Sequence, residues 1–308
     1  MMAWRAWVVA LLALPGALPA HAVVSAVDDT GATVTLNAAA RRIVTLAPHA
    51  AELVYAAGAG ERIVGVVKGT DYPPAVAWLP VVGDAAALDL ERIVALAPDL
   101  IVTWPWTTPA QVARLRERGI AVFEADPHAI DGIPTDVERI GVLAGTPAAA
   151  AAAVRELRTR IAKASSHGNA GPPLRVFYQV SDLPVYTLGG RHLVSQAIAR
   201  CGGANVFGDL SIPAPQVGIE AVLAADPQVI VAGTAFARRP AWLDAWSRWP
   251  ALSAVRYGNL FVVDANLLHR PGPRFVDGAV QLCRALDAAR QTIATYNHRA
   301  GVASGVAK

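Results

Sequence analysis

What is scarce in this chain narrows it first. Basic residues do not cluster: 27 Lys and Arg stand against 24 Asp and Glu, for a net charge of +3 over 308 residues. No basic run is long enough to track a phosphate backbone, which argues against nucleic acid as a partner. No apolar stretch reaches the roughly 20 residues that cross a bilayer, so membrane insertion is not expected. Hydrolase signatures are missing too. There is no Gly-x-Ser-x-Gly elbow and no His-Glu-x-x-His pair, and His49 with Glu52 offers at most two metal ligands. No catalytic residue, resident metal or cofactor is expected, and an exported enzyme on a two-lobed scaffold is the weaker reading.

Only two cysteines are present, Cys201 and Cys283, and their meaning depends on the compartment. Residues 1–22 open with a cation at Arg5, continue with an apolar stretch from Ala6 to Leu14, and close on small residues around Ala20 and Ala22. This pattern describes a secretory signal cleaved after Ala22. The apolar part is short and is interrupted by Pro15 and Pro19. With no cysteine beside the cleavage point to carry a lipid, the expected location is the periplasm of a two-membrane bacterium. An oxidising compartment favours pairing Cys201 with Cys283. Closing so long a loop stabilises a fold by about 4–5 kcal/mol in the chain-entropy account. The alternative is two separate buried thiols.

The strongest positive signal is an internal repeat. LDLERIVALAPDLIV at 88–102 returns as VGIEAVLAADPQVIV at 217–231, a constant offset of 129. Each copy reads as a short helix, stopped before a proline, followed by an all-apolar strand of the kind buried on both faces of a parallel sheet. Around each copy the order of elements is similar. Strands at 42–46 and 175–178 open the two halves, helices that stop at Gly58 and at Gly202 follow, and later strands run into Asp126 and Asp264.

Between the halves, Thr146 reads as a helix cap and Pro147 as the first helical residue. An alanine run follows, with the highest intrinsic helix propensity. About 18 residues at 1.5 Å each make a rod of roughly 27 Å. The expected organisation is a signal over 1–22, an N-terminal lobe over 23–145, a connecting helix over 146–165, a C-terminal lobe over 166–298 and a disordered tail over 299–308. The fold class is α/β: two similar lobes with central parallel sheets flanked by helices, joined by one long rigid helix, with a ligand cleft between them.

With these residues in place the chain resembles the helical-backbone, or class III, solute-binding proteins of ABC importers, over nearly all of 41–294. Among these it is most similar to the cobalamin-binding members. The matching stretches are Thr70 to Pro74, 88–102 with Trp104 beyond it, Arg175 to Phe177, Cys201 to Phe207, Pro213 to Val217, Arg270 to Arg274, and Cys283. In combination they are specific, whereas the Pro-Asp-Leu-Ile-Val element alone recurs among siderophore and haem receptors.

A corrin ring is broad, largely apolar and fringed with amides, so its receptor needs aromatic walls and a few polar groups where strand ends meet a cleft. The resemblance implies pocket aromatics at Tyr72, Trp104 and Tyr186, and a ligand-facing arginine at Arg270; Trp106 lies beside them without a family counterpart. Surface packing is the alternative for the aromatics, and a surface ion pair for Arg270. Pro48 and His49 follow the first strand, where backbone donors can meet amides, or His49 is simply solvated. Three departures alter the second lobe: Ala214 replaces a family tryptophan, and Asn266 and His269 replace an aspartate and a glutamate. His269 thereby raises metal ligation, since imidazole is a common ligand of haem iron.

Glu91 and Glu220 are the one charged identity in the repeat. An acidic residue in the first helical turn favours the helix dipole by about 0.3–1 kcal/mol, which explains them without a partner. The resemblance adds a second role, engagement of arginines on the two subunits of a permease dimer. The function expected from sequence is therefore a monomeric periplasmic receptor. It takes cobalamin or a related tetrapyrrole and delivers it to an ABC transporter; haem and ferric siderophores are the alternatives.

Overall fold

The computed structural model describes residues 22–84, 86–164 and 171–305, the last five for their backbone alone. The expected signal therefore lies outside the described residues apart from Ala22. An antiparallel hairpin, β1 (Val24–Val27) with β2 (Thr33–Leu36), opens the described chain.

The first lobe follows as β3 (Ile43–Thr45), α1 (Pro48–Ala56), β4 (Ile63–Val66), α2 (Leu90–Ala95), β5 (Leu100–Thr103), α3 (Pro109–Glu117), β6 (Ala121–Glu124) and α4 (Gly132–Leu143). Its four strands are all parallel, in the order β4-β3-β5-β6. Strand alternation distributes the apolar residues to both faces. Ile43, Leu100, Val102 and Phe123 face the cluster that includes Leu53 of α1 and Ile140 of α4. Val44, Ile101 and Val122 face the other way, against Ile93 of α2 and Leu115 of α3.

α5 (Pro147–Ala164) leads out of this lobe. Its alanines suit more than helix propensity. A side chain on Gly141 of α4 would come within 2.3 Å of the Ala150 Cβ, and one on Gly58 within 2.5 Å of the Ala149 Cβ, so glycine faces alanine at two crossings. Thr146 takes the expected position before Pro147, its carbonyl accepting the Ala150 N–H at 3.1 Å, while its hydroxyl donates to the Ala57 carbonyl at 2.6 Å, tying the start of α5 to the end of α1.

The second lobe comprises β7 (Leu174–Gln179), a small hairpin of β8 (Ser181–Asp182) and β9 (Val185–Tyr186), α6 (Leu193–Arg200), β10 (Gly203–Asn205), α7 (Ile219–Ala225), β11 (Val229–Thr234), α8 (Ala241–Asp244), α9 (Ser253–Arg256), β12 (Leu260–Asp264), α10 (Ala265–Leu268) and α11 (Phe275–Gly305). Its parallel sheet runs β10-β7-β11-β12, the same order as in the first lobe. The duplication reaches the backbone. Ala97 and Asp226, 129 residues apart, both take positive φ, 45° and 41°, immediately before the proline that stops the helix. Below them Arg42 donates to the Leu96 carbonyl and Arg175 to the Asp226 carbonyl, the same clasp in both lobes.

α11 ties the halves together. Asp277 pairs with Arg160 of α5, and a disulfide joins Cys283 to Cys201 at the end of α6, with Cα atoms 4.8 Å apart. α11 also continues through Gly305, so 299–305 is helical where sequence suggested a loose tail. Ala300 lies in that segment, and its high helix propensity favours continuation. Among the described residues no helix is long and apolar enough to cross a membrane.

Candidate functional site

In a parallel sheet every strand delivers its following loop to the same edge, and the carboxyl edges of the two sheets face a shared cleft. A cavity of about 240 Å³ lies there. The first lobe contributes Trp104 and Trp106 from the loop after β5, and Asp126 and His128 from the loop after β6. The second lobe contributes Arg191 and His192 from the start of α6, with Leu268 and His269 from the end of α10. Gln196 of α6 bridges the two sides, its amide donating to the His128 carbonyl at 2.7 Å.

The aromatic wall is held by its neighbours. Trp104 donates its indole N–H to Asp126 at 3.1 Å and meets Trp106 edge-on at 6.3 Å between ring centroids. Trp106 leaves 64% of its surface exposed. Beneath Trp104 the His49 ring packs edge-on at 5.1 Å. His49 is 1% exposed and is not among the residues lining the cavity, which corrects the solvated reading. Burial drives its pKa down to about 3, against a hydrogen bond with the Ala125 backbone, so it is a neutral support for the tryptophan. Pro48 sits half-buried as the first residue of α1.

On the facing lobe, Nε2 of His269 lies 3.0 Å from the hydroxyl of the fully buried Tyr178. Burial lowers the His269 pKa to about 4, and burial followed by the repulsion of His269 lowers that of His192 to about 4. Both imidazoles are therefore uncharged at neutral pH. His269 lines the cavity, with its Nε2 hydrogen-bonded to Tyr178. No cluster of three or more metal-ligating residues occurs among the described residues.

The remaining polar candidates form a separate seam at the edge of the cleft. Arg270 reaches across the lobes to Asp71 at 2.5 Å and also donates to Asn266 at 3.3 Å. Burial alone would raise the Asp71 pKa, but the hydrogen bond and charge of Arg270 hold it below the usual carboxylate value. Alongside, Arg274 donates to Glu52 at 2.5 Å, and its guanidinium stacks 4.0 Å over the ring of Tyr72. Burial raises the Glu52 pKa despite this partner. Glu52 Oε2 and Arg274 Nε have no hydrogen-bond partner in the protein, so the seam is not fully satisfied internally. Tyr72 and Tyr186 are part-exposed aromatics that do not line the cavity, and Ala214 is exposed beside it.

Sequence reasoning did not find His192, Asp126 and His128 as cavity residues, nor Asp71 and Glu52 as partners of the arginines. For the cavity residues the one available signal was position, since they lie at or just beyond strand or helix ends. The pairings join residues about 200 apart, and no local pattern carries them. Glu91 and Glu220 are both exposed in the first turns of α2 and α7. Each helix leads into its strand, β5 or β11, so one glutamate lies on each lobe.

Comparison with known proteins agrees with this geometry. The family described as periplasmic binding protein matches residues 43–267. The vitamin B12-binding protein of Vibrio cholerae is 36% identical over 256 residues, covering 82% of this chain and 91% of that protein. The crystal structure of the periplasmic vitamin B12 binding protein BtuF of Vibrio cholerae superposes with a TM-score of 0.75 at 35% identity, over 82% of this chain and 98% of that one. The periplasmic haem-binding protein RhuT from Roseiflexus aligns with a TM-score of 0.69 at 25% identity, over 81% and 98%.

Proposed function

Because this chain belongs to the periplasmic binding protein family, we propose that it is an exported receptor that captures cobalamin or a related corrinoid between its lobes and delivers it unchanged to an ABC transporter. The observation that carries the reading is the cavity itself: an indole wall on one lobe faces two uncharged imidazoles on the other, at the meeting point of two parallel-sheet edges. A flat apolar ring stacks on the wall, and its amide fringe meets the neutral imidazoles, with Asp126 and Arg191 also on the lining. The similarity to vitamin B12-binding proteins supports the same ligand class.

In this reading Trp104 and Trp106 form the stacking face. Tyr72, Tyr186, Asn266 and Arg270 border the mouth, and Arg270 exchanges Asp71 for ligand amides as the ligand enters. Pro48 and His49 act from beneath the wall. α5 and α11 brace the lobes, so closure is a small hinge motion and release requires the permease to part the lobes. Glu91 and Glu220, one per lobe, are the docking charges for the two permease subunits; such charges set register and encounter rate more than affinity.

Three histidines at the cavity make haem the second reading. Calorimetric and absorbance titrations with cyanocobalamin, cobinamide and hemin separate the two. Tight binding of a corrinoid with weak or no binding of hemin is expected; the reverse order would overturn the corrinoid assignment. Recovery of any ligand chemically altered after incubation would overturn the receptor reading in favour of an enzyme.

A further inference from the structure

His192 belongs to no matched motif, yet the fold constrains its ring chemistry. It is the N-cap of α6, and its Nδ1 accepts the backbone N–H of Val194 at 3.1 Å. An imidazole nitrogen that accepts carries no proton, so the single proton of the neutral ring sits on Nε2. The ring lines the cavity with Trp104, Trp106 and His269, and burial together with His269 keeps it neutral. His269 is constrained in a complementary way. The Tyr178 hydroxyl, held protonated by burial, has His269 Nε2 as its hydrogen-bond partner, so Tyr178 donates and Nε2 accepts. Neither ring has a free Nε2 lone pair: one nitrogen is protonated and the other is occupied.

We propose that His192 is a specificity-determining residue of this cleft: capped in place by α6, it presents an Nε2–H donor that reads a peripheral carbonyl of the bound macrocycle and leaves the central metal alone. The inference rests on the corrinoid reading, whose rim of carboxamides supplies the neutral acceptors such a donor fits. A buried donor is selective because a ligand without an acceptor at that position leaves it unpaired. Ligating a metal through Nε2 would require moving the proton to Nδ1 and giving up the cap.

The test uses the full mature protein. With ¹⁵N-labelled histidine, long-range ¹⁵N–¹H spectra report the tautomer directly, and cyanocobalamin is the probe. His192 Nε2 is expected to be protonated in the free protein and to shift when cyanocobalamin is added. His192→Asn keeps an accepting cap but is too short to reach the cavity. Its melting temperature should stay close to wild type, while cyanocobalamin affinity should fall about five- to tenfold. An unprotonated Nε2, or a His192→Asn variant with wild-type affinity, would overturn the donor role while leaving the corrinoid reading intact. So would a change in the aquocobalamin absorption band on binding that His192→Asn abolishes, since that would show ligation of cobalt. Wild-type protein that binds no corrinoid at all would overturn both.

Discussion

Single residues in this molecule are set by their surroundings more than by their type. Trp104 is the pivot of the wall, tied to Asp126 and propped by His49. Trp104→Ala should weaken corrinoid binding at least tenfold, about 1.4 kcal/mol; an affinity equal to wild type in calorimetry would remove it from the site. A different residue should govern alkaline stability. Asp136 is fully buried in α4, faced by Asp29 and Arg139, and its pKa is raised to about 9, first by burial and then by the Asp29 charge. The folded state therefore holds a proton that the unfolded chain releases near its ordinary value. That contribution is complete at acid pH and declines as pH rises toward 9. Asp136→Asn is neutral throughout, so its melting temperature relative to wild type should climb as the buffer goes from pH 4 to pH 9; a constant difference would contradict the assignment.

At the scale of elements, the α4–α5 crossing shows how packing overrides propensity. Replacing a helical glycine by alanine ordinarily helps by about 0.5–1 kcal/mol. Gly141→Ala should instead destabilise by about 1–2 kcal/mol, because its Cβ would meet that of Ala150 at 2.3 Å. Ala150→Gly in the same chain should restore most of the loss, which denaturant unfolding can measure. The helices and strands themselves were largely legible in sequence. The repeat at 88–102 and 217–231 becomes α2–β5 and α7–β11, because an apolar run stopped before proline reads the same locally as it folds. The partner of the Thr146 hydroxyl was not legible, since it is a carbonyl 89 residues away. The tail was misread because continuation of α11 depends on a helix already nucleated in the core.

For the whole molecule, the interlobe contacts decide mechanics. Arg270 with Asp71, Arg274 with Glu52 and Arg200 with Asp131 each bridge the two lobes, while α11 pairs with α5 at the base. Most of these ion pairs are partly exposed and contribute little to stability one by one; their effect is to limit the relative positions of the jaws. Docking is a property at the same scale, because it needs one charge on each lobe at a fixed separation. Glu91→Ala combined with Glu220→Ala should retain cyanocobalamin binding and lose transport into cells or proteoliposomes. Undiminished uptake by the double variant would refute the docking role.

Local chemistry alone determined much here: two copies of one helix-strand unit, a stiff alanine-rich connector, and aromatics placed in loops that parallel strands must send to one edge. Period, capping and propensity act over a few residues, so they are visible before folding. Tertiary structure alone decided that His49 lies under Trp104, that His192 and His269 face the indoles as neutral rings, and that Arg270 and Arg274 find Asp71 and Glu52. Those outcomes depend on burial and on groups some 200 positions apart, and desolvation has no value until the surrounding chain has removed the water.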